Sequence, residues 1–151
     1  MLHPLFAFSH IAAVLGWVAC ASALVALCRA EWLGEAALRR LSRLGALLWL
    51  AAALVFASGL LRVYSGGFGA AFYWTNWLLH LKLTLFAVVF VLQVVVTRRL
   101  SAWRAALPAL PQAGAVRMVR VLLLAAMCVM ALLPLAGALM AHGYGARLTG
   151  G

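Results

Sequence analysis

Hydrophobic positions in this chain neither alternate nor keep to one helical stripe. They fill four long runs separated by short polar stretches. About 20 apolar residues are what an α-helix needs to cross the ~30 Å hydrocarbon core of a bilayer, and a helix satisfies its own backbone hydrogen bonds in lipid. The runs predict helices over about 4–27, 44–64, 77–97 and 119–141. The ten-residue alternating segments of a membrane β-barrel do not occur. The expected fold is all-α, an integral membrane four-helix bundle forming one domain over residues 1–151. Pro4 suits a first helical turn, where its missing N–H costs nothing. Pro134 is expected to kink the fourth helix. Ala12, Gly16 and Cys20 on the first run, Ser58-Gly59 on the second and Gly137 on the fourth mark places where helices can approach closely.

The polar stretches set an orientation. Of the 12 Lys and Arg residues, Arg29, Arg39, Arg40 and Arg43 fall between the first two runs, and Arg98, Arg99, Arg104, Arg117 and Arg120 between the last two. Only Arg62, Lys82 and Arg147 belong to the other side. By the positive-inside rule both basic loops are cytoplasmic, and both termini and the loop Ser65–Asn76 are periplasmic. The expectation is a multi-pass protein of the bacterial inner membrane. The first run lacks the basic leader of a signal peptide and is expected to be retained as a helix.

Composition agrees with this placement. The chain is 68% apolar and 9% charged, against roughly 45–50% and about 25% in soluble domains. Its principal partner is therefore the lipid bilayer. A net charge of +10 would invite nucleic acid if it formed one face. Split into two juxtamembrane clusters, it serves lipid phosphates and topology instead, so no nucleic-acid partner is expected. Cys20, Cys28 and Cys128 show neither C-x-x-C spacing nor a paired His, and read as small buried hydrophobes.

Ionisable residues inside spans are costly and so draw attention to function. Here they gather at one depth. His10 lies a turn and a half inside the first helix, His80 and Lys82 a turn inside the third, and Arg62 and His142 end the second and fourth. Arg62 and Lys82 are long enough to snorkel to headgroups, and His3 and His142 suit an interface. Tyr73, Trp74 and Trp77 read as an interfacial aromatic belt. His10 and His80 are too short to reach water. Two imidazoles at one depth on different helices suit bis-histidine ligation of haem b in a four-helix bundle, with Arg62 and Arg147 meeting the propionates. Copper on His10 and His80, supplemented by Met1, Met140 or His142, is the rival metal reading. His80 and Lys82 sit about 200° apart on a helix and cannot face one centre; Lys82 shares its face with Phe86, Val89 and Gln93.

Two resemblances attach to these residues. The stretch Ala57–Tyr73 (ASGLLRVYSGGFGAAFY) followed by His80–Phe86 (HLKLTLF) resembles a family of small bacterial four-helix membrane proteins defined by a domain of unknown function (2214). That likeness implies a fold and no activity. Trp77–Thr84 (WLLHLKLT), with His10 and Trp17 in the first helix, resembles the HemJ-type protoporphyrinogen oxidases and, more distantly, the CopD copper-resistance membrane domain. The HemJ resemblance implies haem-site roles for His10 and His80 and a requirement for Lys82. Leu92-Gln93 stands where HemJ carries a Tyr-His pair.

The expected function is a haem-b-binding membrane protein in electron transfer or redox chemistry at the periplasmic leaflet, with His10, His80, Lys82 and Arg62 at the cofactor. Two alternatives stay open. One is a non-catalytic accessory subunit, without cofactor, that packs on other membrane subunits or on copies of itself; the other is copper binding or permeation. No residue is assigned a catalytic role, and whether the protein is an enzyme is left open.

Overall fold

The computed structural model describes residues 3–65 and 69–145, with side chains from Leu5 onward. Helix α1 spans His3–Leu27, α2 Glu35–Ser65, α3 Gly69–Thr75, α4 Trp77–Ala105 and α5 Ala113–Ala141, with one 3-10 turn at Ala30–Trp32. The four long helices are each long and apolar enough to cross a membrane. Helix α1 packs chiefly on α2, and α4 chiefly on α5. Two antiparallel hairpins thus lie side by side, closed into a bundle by α2 against α4 and α1 against α5.

Apolar residues occupy both the inside and the outside. Trp17, Leu24, Leu48, Val89, Val96 and Leu123 are buried, while Phe8, Leu15, Leu50, Val91, Val121 and Leu135 are exposed. In water such a surface would aggregate; in lipid it is the ordinary exterior. Because tails and core are equally apolar, cohesion rests on close packing and on polar ties between helices. Trp17 Nε1 donates to Gln93 Oε1 at 3.2 Å, joining α1 to α4. Trp49 Nε1 donates to Thr97 Oγ1 at 3.2 Å, joining α2 to α4. At the basic end Arg104 donates to Ser42 Oγ at 3.2 Å.

The long helices overrun the apolar segments that predicted them. Helix α2 begins at Glu35 rather than near 44, α4 continues to Ala105 rather than ending near 97, and α5 begins at Ala113 rather than near 119. Hydropathy locates the greasy stretch, whereas the helix persists wherever one stripe can still be buried. Leu38, Leu41, Leu100 and Val116 supply that stripe, and the arginines take the outer side, with Arg39 pairing Glu35 one turn away. The loop expected over 65–76 contains α3. Asn76, fully buried, caps α4 by accepting from Leu78 N at 2.9 Å and donates Nδ2–H to Tyr144 O at 3.0 Å. Cys28 is buried, but Cys128 faces outward, contrary to its expected burial.

Candidate functional site

At the end of the bundle opposite the arginine clusters, the two hairpins do not close on each other. Between them lies a cavity of about 600 Å³. Small and irregular residues leave this room: Gly59 on α2, and Pro134 and Gly137 on α5. Proline at 134 also withholds the N–H that would pair with the carbonyl four residues back. Trp17, Phe86 and Met130 are among the deepest lining residues along the spans, and Tyr73 and Trp74 of α3 line the mouth. Phe86 packs on Trp17 with ring centroids 5.4 Å apart.

Three polar side chains reach this apolar space. His10 is 7% exposed, and its Nδ1 lies 2.9 Å from Ser58 Oγ. The Ser58 hydroxyl hydrogen is already committed to backbone, its Oγ being 2.6 Å from Leu54 O and 3.2 Å from Val55 O. Ser58 is therefore the acceptor, Nδ1–H donates, and the lone pair of His10 resides on Nε2. The ring lies over Gly59, where an added Cβ would meet Cε1 at 3.5 Å. Lys82 enters from α4, its Nζ 3.4 Å from the position of a Cβ at Gly137. Among the described residues Lys82 has no hydrogen bond or ion pair. Arg62, at the last turn of α2, lines the outer part of the cavity. The only acidic residues, Glu31 and Glu35, belong to the other end of the bundle. The cavity is thus an apolar chamber with cationic groups and no carboxylate.

The structure brings His10, Arg62 and Lys82 together and leaves His80 out. His80 is exposed on the outer face of α4, where its Nε2–H donates to Trp74 O at 3.0 Å. The expected pairing of His10 and His80 around one metal or haem is corrected accordingly. Equal depth does not give equal azimuth, and with Lys82, Phe86, Val89 and Gln93 facing inward a residue two positions from Lys82 must face out. His142 is likewise exposed, its Nδ1–H donating to Ala138 O at 2.8 Å. Among the described residues no three His, Cys, Asp or Glu side chains come together. Arg147, Met1 and the His3 side chain lie outside the described residues.

Sequence reasoning missed several contributors. Tyr73 and Trp74, read as belt residues, line the chamber, Trp74 while staying partly exposed, whereas Trp77 is exposed and does not line it. Ser58, Gly59 and Gly137, read as packing residues, provide the acceptor for His10 and the space beside His10 and Lys82. The signal was present, since each small residue lies on a helix facing one that carries a buried polar group.

The profile of one family, described as predicted membrane protein (DUF2214), matches residues 3–145. No curated protein and no solved structure matches the chain. The matched region runs from the start of α1 past the end of α5 and includes every residue of the chamber, so this four-helix chain belongs to the DUF2214 family of membrane proteins.

Proposed function

We propose that the chamber binds haem b and that the protein acts in electron transfer or redox chemistry at the outer leaflet of the bacterial inner membrane. The observation that carries this reading is His10: an imidazole fixed by Ser58 on one nitrogen, with the lone pair on the other, set in the wall of a cofactor-sized apolar cavity. A ligating histidine is typically held in this way through its second nitrogen. Haem is a flat apolar body with two carboxylates at one edge, and Lys82 and Arg62 are the cations available to them. The chamber offers haem one imidazole, that of His10, and not two. His10 would hold the iron, Lys82 and Arg62 the propionates, and Trp17, Phe86 and Met130 would keep water from the inner end. When bound, haem supplies one-electron chemistry at a potential set by its axial ligand and burial. The arginine-rich loops are taken to face the cytoplasm, which puts the chamber near the periplasmic side.

The test is a reduced-minus-oxidised spectrum of the full chain made with ample haem and purified in detergent. An α band is expected, lost in His10→Ala and retained in His80→Ala. Absence of the band, or a band that survives His10→Ala unaltered, refutes the reading. Copper has weaker support, because the chamber offers it one imidazole and the thioethers of Met130 and Met140.

A further inference from the structure

A second polar locus lies at the other end of the bundle, remote from the chamber. Cys28, just past the end of α1, is fully buried, and its Sγ–H points to Val116 O of α5 at 3.9 Å. The chain then turns through Ala30–Trp32, which packs against α5. Two arginines flank this contact. Arg29 follows Cys28 directly, and its guanidinium carbon sits 4.7 Å from the centroid of the exposed Trp32 ring. Arg120 lies one helical turn beyond Val116, inside α5. Burial pushes the Cys28 thiol up, and the nearby charge of Arg120 opposes that rise.

Each of these arginines has a buried Nε with no hydrogen-bond partner among the described residues. Both are half-buried, and neither has an ion pair there. Glu35 is engaged by Arg39, and Glu31 is exposed. Buried donors on charged groups that no protein atom satisfies are expensive. Burial of each Nε fixes the guanidinium in place, and its terminal nitrogens, which have no hydrogen-bond or ion-pair partner among the described residues, are left for an acceptor from outside the chain. Guanidinium forks match the paired oxygens of a phosphate. The locus also sits where membrane helices reach headgroup level, with an exposed tryptophan beside it.

We infer that Arg29 and Arg120, flanking the Cys28–Val116 contact beside Trp32, form a binding site for the phosphodiester of an acidic phospholipid. The acyl chains would run along the apolar outer surface of α5, where Val121 and Leu124 are exposed. Basic pockets between membrane helices bind anionic headgroups by this chemistry. The inference is independent of the chamber and of any cofactor.

Native mass spectrometry of the full chain in detergent, titrated with phosphatidylglycerol or phosphatidylcholine, tests it. Phosphatidylglycerol is expected to bind in preference to phosphatidylcholine. R29Q/R120Q is expected to weaken phosphatidylglycerol binding by about ten-fold or more, the loss of a charge-assisted hydrogen bond or two. R40Q/R43Q, at exposed arginines of the same loop region, is expected to leave it unchanged. Equal loss in both variants means diffuse charge and overturns the site, as does no loss in R29Q/R120Q. Displacement of the lipid by inorganic phosphate overturns its assignment to a lipid. Should R29Q/R120Q lose its helical circular dichroism, R29K/R120K serves in its place: charge is kept and both Nε donors are removed. A several-fold loss is then expected, and unchanged affinity refutes the inference.

Discussion

Replacing Ser58 by alanine removes the side-chain acceptor of His10 while taking little from Ser58 itself. The backbone carbonyls of Leu54 and Val55 that the hydroxyl meets already have their helical partners. The imidazole N–H, in a residue only 7% exposed, loses its hydroxyl partner and is left with the Val55 carbonyl, which already serves the helix, as the acceptor in reach. An orphaned buried donor costs about 1–3 kcal/mol, and measured interhelical hydrogen bonds in membranes reach about 1.7 kcal/mol. The two together place the cost at about 1–2 kcal/mol, or roughly 2–8 °C in Tm for a chain of this size. His10→Phe removes the donor, so Ser58→Ala added to it should cost almost nothing. The double-mutant cycle therefore yields a coupling of about 1–2 kcal/mol. The assay is thermal unfolding of the four proteins in one detergent, prepared without added haem and followed by circular dichroism. If Ser58→Ala costs as much in the His10→Phe background as in the parent chain, the hydrogen bond is not what holds these helices, and the tautomer assignment fails with it. With haem supplied, Ser58→Ala should also weaken cofactor retention by roughly 10- to 100-fold, the usual effect of losing a partner behind a ligand.

Three further outcomes follow from other contacts. Lys82→Gln should leave the axial ligation spectrum intact while cofactor retention falls by about ten-fold, as expected for loss of one carboxylate contact; a changed spin state would make Lys82 a ligand. Gln93 is 3% exposed, and its Nε2 has no partner among the described residues; Gln93→Leu removes that orphaned donor while orphaning the Trp17 N–H, so the two effects offset and the same melts should show a change within about 1 kcal/mol, a loss above about 3 kcal/mol refuting the exchange. For topology, cysteine at Gln112 should resist a membrane-impermeant maleimide in intact cells and cysteine at Gly143 should react; the reverse pattern would invert the proposed orientation.

The spans were legible because length and apolarity are one-dimensional properties. Their ends were not. Glu35–Arg43 reads as a charged loop until Leu38 and Leu41 are placed on a face that α1 and the rest of the core cover, and only the packed structure shows that they are. The chamber divides in the same way. His10, Arg62 and Lys82 were marked by the cost of polarity in a span, and all three line it. His80 was marked by the same rule and lies outside. The inward stripe that runs from Lys82 through Val89 to Gln93 carried the information that separates them, since a polar side chain without a long stem at position 93 is tenable only facing the bundle. Tyr73 and Trp74 were obscured by a general habit of aromatic residues at interfaces, and their contribution depends on α3, a short helix that no apolar run announces.

The chamber has walls drawn from both hairpins, and this bears on how the molecule comes apart. Contacts within each hairpin are extensive, while the seam between them is interrupted at the site. A tenant there behaves as a pin through a mortise joint, raising resistance to separation as its occupancy rises. Melting temperature should then climb with the concentration of whatever lodges between the hairpins, and an unbiased thermal-shift screen reads the identity of that tenant directly from the protein.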